Sequence, residues 1–172
     1  MNIDKEIARR MIEKDREANY FFSGQYEIKL DEQGRFALPA IMQEKLSLMA
    51  AGEKRLVFII LGQLHIYSID DFNQLLKRAD AGGSKRSVDE VAFYRWLYAE
   101  AEGAEWDKNG VVEIPRKILD KARFQAGDEL MMVGMKNWIE LWRPDNWEAE
   151  KKKLEFTDVE LSRIHEILDA EL

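Results

Sequence analysis

The 172-residue chain contains no cysteine, three prolines and two histidines. Without thiols there is neither a disulfide framework nor a thiolate metal site. His65 and His165 fall in separate elements without ligand-spaced companions, so neither a metal nor a cofactor is expected. The longest apolar run, Leu56 to Gly62, is far too short to span a bilayer. No phosphate-binding glycine loop, nucleophile elbow or Cys–His pair is present, which argues against an enzyme with a small-molecule substrate. Charged residues from the first turn onward leave no hydrophobic signal core, so the expected address is the cytoplasm. Positive charge is also scarce: 26 Lys and Arg stand against 33 Asp and Glu, for a net charge of −7. Dedicated nucleic-acid binders usually carry a basic field. Any contact with DNA must therefore rest on a few local cations, repeated by symmetry.

What the chain does have is an internal repeat. Tyr26-Glu-Ile-Lys-Leu-Asp-Glu-Gln-Gly-Arg-Phe-Ala-Leu-Pro39 aligns with Glu102-Gly-Ala-Glu-Trp-Asp-Lys-Asn-Gly-Val-Val-Glu-Ile-Pro115. Asp31/Asp107, Gly34/Gly110 and Pro39/Pro115 are the identical pairs, each 76 positions apart. Before the loop, Ile28 and Leu30 match Ala104 and Trp106; after it, Phe36 and Leu38 match Val112 and Ile114. Alternation with polar neighbours is the period of a half-buried strand, and the glycine suits a positive-φ turn position.

Each unit then predicts a helix with proline at its first position, over 39–49 and 115–122. Two strands follow in each: 56–61 and 64–69, then 130–134 and 138–142. The first of each pair is nearly all apolar, as in strands covered on both faces. Asp70 and Asp145 are candidate caps for the closing helices, with Glu148 completing a capping box. His65 aligns with Glu140, which predicts an outward strand position. Ala81-Gly-Gly-Ser84 is a flexible break, and Ser87-Val-Asp-Glu90 opens a helix with Phe93, Trp96 and Leu97 on one face. Thr157-Asp-Val-Glu160 opens another, with Leu161, Ile164, Leu168 and Leu172. The divisions are a helical extension over 1–20, the first repeat over 21–80, a linker and helix over 81–100, the second repeat over 101–150 and a C-terminal helix over 151–172. The extension, with Ile3, Ile7 and Met11 on one face, reads as a packing helix or a subunit-contacting arm. The class is α+β: two tandem β-loop-β-α-β-β-α units whose unpaired apolar faces suggest one closed, intertwined barrel.

Gly24-x6-Asp31-Glu-Gln-Gly-Arg35-Phe-x-Leu-Pro39, its second copy, and Val133-Gly-Met-Lys-Asn-Trp-Ile-Glu-Leu-Trp142 together resemble the MraZ family, bacterial transcriptional regulators related to AbrB-type swapped-hairpin barrels. The resemblance covers about residues 21 to 150. It implies two swapped-hairpin halves in one double-psi-like core, and ring-shaped homo-oligomers on the promoter repeats of the cell-division and cell-wall gene cluster. A repressor associated with the nucleoid is the expected role. In the family, DNA binding goes with paired Asp-x-x-x-Arg signatures. The first is complete here, Asp31 to Arg35, whereas in the second Val111 stands where Arg is expected after Asp107. Gln33 also occupies a position that the first loop often fills with a cation.

Phe36 and Leu38 point inward, so Arg35 points outward, where a guanidinium can contact phosphate or the acceptor edge of guanine. Alternatively, Asp31 pairs with Arg35 and caps loop N–H groups; the two roles are compatible. The candidate DNA-binding residues are Arg35, Asp31 and Gly34 in the first loop and Lys108, Asn109, Asp107 and Gly110 in the second. Arg116, Lys117, Lys121 and Arg123 read as a solvated helix face. The five tryptophans read as packing residues. Two functions stay open: a sequence-selective double-stranded-DNA binder, and a ring-forming structural protein with weak or lost DNA affinity.

Overall fold

The computed structural model describes residues 21–49, 54–80 and 88–170. The expected N-terminal helix, the glycine linker, the Ser87 cap and Leu172 lie outside the described residues. The first compact unit closes at Trp142 and the second starts at Arg143. The first holds β1 (Gln25–Lys29), β2 (Arg35–Ala37), α1 (Ala40–Met49), β3 (Arg55–Leu61), β4 (Gln63–Ser68), α2 (Ile69–Asp80) and α3 (Val88–Glu100). It continues with β5 (Glu102–Glu105), β6 (Val111–Glu113), α4 (Arg116–Ala122), β7 (Glu129–Gly134) and β8 (Ile139–Trp142). The class is α+β, as the alternation predicts.

The repeats exchange strands. All ladders are antiparallel, and the larger sheet runs β1-β7-β8-β4-β3-β5. The outer strand of each repeat thus pairs with the other repeat: Ile28 opposite Leu130, Leu56 opposite Ala104. Matching strands occupy mirrored places in this order, so a pseudo-twofold relates the halves. β2 and β6 form a separate two-stranded ladder, with Phe36 opposite Val112.

The expectation of a single closed barrel needs correction. β2 and β6 are three residues each and pair with one another. A tight loop on either side turns the chain out of the larger sheet, leaving β1 and β5 as its edges. The main core lies between one face of this sheet, the small ladder, α1 and α4; Phe36, Met42, Phe58, Val112, Ile118 and Met132 are among its buried members. The opposite face packs Val57, Ile59 and Tyr67 against Phe72 of α2 and Leu97 of α3. β3 is consequently buried on both faces, as its apolar run requires.

Several helix ends differ from expectation. Pro115 precedes α4 in an extended conformation (φ −54°, ψ 138°), as its N-cap rather than its first residue. Ser68, not Asp70, caps α2: its Oγ accepts from Asp71 N–H at 3.0 Å and donates to the Asp71 carboxylate at 2.7 Å. On α3 the inward stripe is Tyr94 and Leu97, while Phe93 and Trp96 are exposed. Leu97 joins Val57, Ile59 and Tyr67 of the sheet in one buried cluster that Phe93 and Trp96 do not enter.

In the second unit, α5 (Pro144–Lys153) has Arg143 as N-cap without a side-chain cap. The expected Asp145–Glu148 box does not form; Pro144 occupies the first turn and Glu148 pairs with Lys151 at 2.7 Å. The Thr157–Glu160 box does form at α6 (Asp158–Ala170): Thr157 N–H donates to Glu160 at 2.8 Å and Glu160 N–H donates to Thr157 Oγ1 at 3.3 Å. Among the described residues, no helix is long and apolar enough to cross a membrane.

Candidate functional site

The two Asp-to-fourth-residue loops are built alike. In the first, Asp31 N–H donates to Arg35 O at 2.9 Å and Gly34 N–H donates to Asp31 O at 3.1 Å. The Asp31 carboxylate accepts from Gln33 N–H and Arg35 N–H, both at 2.9 Å. In the second, Asp107 accepts from Asn109 N–H at 2.8 Å and Val111 N–H at 2.9 Å. The backbone bonds repeat too, Asp107 N–H to Val111 O and Gly110 N–H to Asp107 O. Each aspartate does the work of a missing strand partner, the local capping that makes Asp a loop former. These N–H donors hold both carboxyls below their ordinary range, led by the Arg35 amide for Asp31 and the Val111 amide for Asp107.

Gly34 and Gly110 sit at φ +75° and +76°. A Cβ on Gly34 would come within 2.5 Å of Leu119 on α4, and one on Gly110 within 2.2 Å of Gln43 on α1. Each loop therefore rests against the helix of the opposite repeat. Reciprocal bonds fix this arrangement: Leu38 N–H donates to Gly110 O at 2.8 Å and Ile114 N–H to Gly34 O at 3.1 Å.

Between the loops, Phe36 and Val112 face the core. Alternation puts Arg35, Ala37, Val111 and Glu113 on the outer face. The Arg35 Nε donates to Asp31 at 2.7 Å and its Nη2 to the Gln33 amide oxygen at 3.2 Å. This fixes the guanidinium while leaving Nη1 for an incoming acceptor, since the group has five N–H donors. The pair is exposed, 44% for Arg35 and 40% for Asp31, so its own contribution to stability is small. Asp31, with support from Glu113 and Asp107, holds the Arg35 guanidinium even more firmly protonated.

Sequence reasoning placed Asp31, Gly34, Arg35, Asp107, Lys108, Asn109 and Gly110 here, and the structure brings the two loops to opposite ends of one small ladder. Lys108 and Asn109 are exposed at the second turn. It missed Gln33 as a second acceptor for Arg35, and Glu113, which lies opposite Arg35. The i, i+2 spacing of Gln33 and Arg35 offered a signal; Glu113 becomes visible only once the register is known. The α4 cations are engaged elsewhere. Arg116 pairs with Asp120 at 3.0 Å, Lys121 with Glu100, and Lys117 with Glu102 at 2.9 Å and Ala99 O at 2.7 Å. Beside the first loop, a half-open cleft of about 820 Å³ runs between Glu32, Gln33 and Gly34 and the residues Arg116 and Leu119 of α4, with Arg123 just after it.

His65 departs from its expected outward exposure. It lies opposite Glu140 on the adjoining strand, with Nε2 3.4 Å from the carboxylate, and only 12% of its side chain is exposed. Trp138 stacks on it at 5.7 Å and covers the face. Glu140 also accepts from Trp138 Nε1 at 3.1 Å and Trp142 Nε1 at 2.8 Å. No group of residues suited to hold a metal ion occurs among the described residues.

A family model described as "MraZ protein, putative antitoxin-like" matches residues 21–93. The transcriptional regulator MraZ of Caldanaerobacter subterraneus subsp. tengcongensis is 31% identical over 147 residues, 85% of this chain and 95% of its own. That of Ligilactobacillus salivarius is 31% identical over 129 residues, 74% of this chain and 85% of its own. That of Thermomicrobium roseum is 29% identical over 133 residues, 77% of this chain and 89% of its own. At this identity over most of both chains, the chain belongs to the MraZ family, a family of transcriptional regulators and not of enzymes.

Proposed function

We propose that the chain is a sequence-selective double-stranded-DNA binder that represses the cell-division and cell-wall gene cluster. It acts as a ring-like homo-oligomer at promoter repeats, in the nucleoid of the cytoplasm. The repeats over 21–80 and 101–150 form the binding core, with exchanged outer strands in a swapped-hairpin arrangement that leaves the sheet open. The 1–20, 81–100 and 151–172 segments are accessory to it. Arg35 is the main contact. Asp31 and Gly34 position it, and Lys108 and Asn109 on the Asp107–Gly110 loop add a weaker contact.

The observation that carries this reading is the geometry of Arg35. Its guanidinium is held by Asp31 at 2.7 Å and Gln33 at 3.2 Å on a loop braced against the opposite repeat. A guanidinium fixed before binding loses less freedom on contacting an acceptor. A ring multiplies a weak contact; simultaneous engagement raises avidity by ~10²–10⁴.

The rival, a ring-forming scaffold with little DNA affinity, draws on Glu113 opposite Arg35 and on Val111 in the second loop. A mobility-shift assay decides between them, with the DNA upstream of the chain's own gene set against scrambled DNA over a salt series. Arg35→Ala should weaken binding and flatten the salt dependence by ~0.9 per engaged protomer. Binding equal to the parent's at every salt concentration would favour the scaffold.

A further inference from the structure

The pseudo-twofold pairs residues that the alignment of the two loops does not reach. β3 and β7 occupy equivalent places, so Lys54, just before β3, is the counterpart of Asp128, just before β7. Both make the same backbone contact with the other repeat. Leu30 N–H donates to Asp128 O at 2.9 Å, and Trp106 N–H donates to Lys54 O at 3.1 Å. Leu30 and Trp106 immediately precede the two loop aspartates, so position 54 flanks the second loop as position 128 flanks the first. The side chains there have opposite sign. Asp128 folds back on its own turn, accepting from Gln125 N–H at 2.8 Å. Lys54 is exposed beside Asp107, and its charge helps to hold that carboxyl low.

The charges are therefore traded between the loops. The first has Arg35 on its strand and a carboxylate at the flanking position; the second has Val111 on its strand and a cation at the flanking position. We propose that Lys54 joins Lys108 at the second loop, supplying the flanking cation that stands in for the absent arginine, and contacts a phosphate of duplex DNA. This rests on the DNA-binding reading above. A lysine brings a point charge without a bidentate fork, which suits backbone contact rather than base reading. The two loops then divide the labour, the first selecting sequence and the second adding affinity.

The test uses the full chain, the duplex upstream of its gene and a scrambled duplex of equal length, each over a salt series. Arg35→Ala, Lys54→Gln, Lys54→Gln combined with Val111→Arg, and Lys117→Gln are compared. Lys54→Gln should lose about eightfold affinity per engaged protomer at 0.1 M salt, equally for both duplexes, with a slope flatter by about 0.9. Val111→Arg should restore both quantities, and Lys117→Gln, which removes an ion-paired cation, should change neither. If Arg35→Ala weakens binding while Lys54→Gln does not, the assignment of Lys54 is overturned and the DNA reading stands. If neither weakens it, both fall. A loss that Val111→Arg does not restore overturns the exchange of one cation for another.

Discussion

The first and second loops share one backbone and differ in their outward side chains, Glu32, Gln33 and Arg35 against Lys108, Asn109 and Val111. Asp31 and Asp107 accept corresponding N–H bonds, and Gly34 and Gly110 have φ values one degree apart. Yet one loop displays arginine and the other valine. The comparison separates two roles that a motif written Asp-x-x-x-Arg runs together. Aspartate and glycine make the turn; the arginine side chain adds bonds to it but is not required, since the second turn closes the same way around Val111. Arginine is therefore free to be lost from one copy without unfolding that copy.

The two turns are most vulnerable at their glycines. Gly34→Ala and Gly110→Ala each force a side chain into the left-handed region, at ~1–2 kcal/mol from the backbone alone. Gly34→Ala should be the worse, because its Cβ meets buried Leu119, whereas Gly110 meets the end of a glutamine that can swing away. Thermal melts of both variants measure the difference; equal melting points would show that Leu119 yields as easily as Gln43.

Next come the aspartates. Their lowered carboxyl values mean that the stabilising contribution is present above the ordinary aspartate value of 3.8 and is lost as pH falls through the lower folded-state values. Asp31→Asn and Asp107→Asn should each reduce part of that acid sensitivity, and by similar amounts. Denaturant midpoints across an acid series check this. A much larger effect at Asp31 would mean that Arg35, and not the backbone, is what the carboxylate serves.

The reverse exchange gives the second loop the arginine that it lacks. Val111→Arg should leave the melting temperature nearly unchanged, since the side chain is on the outer face and is only half-buried. It should also steepen the salt dependence of DNA binding by ~0.9 per engaged protomer. Loss of stability instead would show that Val111 was kept for packing.

The smallest effect lies away from the loops. Burial holds the His65 imidazole below its ordinary value of 6.5, against an opposing pull from Glu140. The unfolded chain therefore binds that proton more readily. This contribution is intact above the ordinary histidine value and weakens as pH falls below it. His65→Gln should flatten the stability profile as pH falls below the ordinary histidine value of 6.5. An unchanged slope would place that titration elsewhere.

Much of this was legible in the residues, through local signals. Alternation around Ile28, Phe36 and Val112 gave the strands, and Asp followed by Gly gave both turns. What stayed hidden depends on register between distant strands. His65 read as outward because its own strand alternates, but Trp138 from β8 covers it. Glu113 and Lys54 acquire meaning only when β2 meets β6 and β3 meets β5. The proline before α4 was misread by one position because a fixed φ suits the N-cap and the first turn alike.

The exchange of outer strands also has a consequence during synthesis. β1 leaves the ribosome early, yet Gln25 pairs with Val133, 108 residues later. At ~5–20 residues per second, that edge waits ~5–20 s for its partner. An unpaired strand edge is a template for association with other chains. The exposed charges of Glu27 and Lys29, alternating with Tyr26 and Ile28, guard it during the wait. Removing both should leave the finished fold intact and lower the yield of soluble chain.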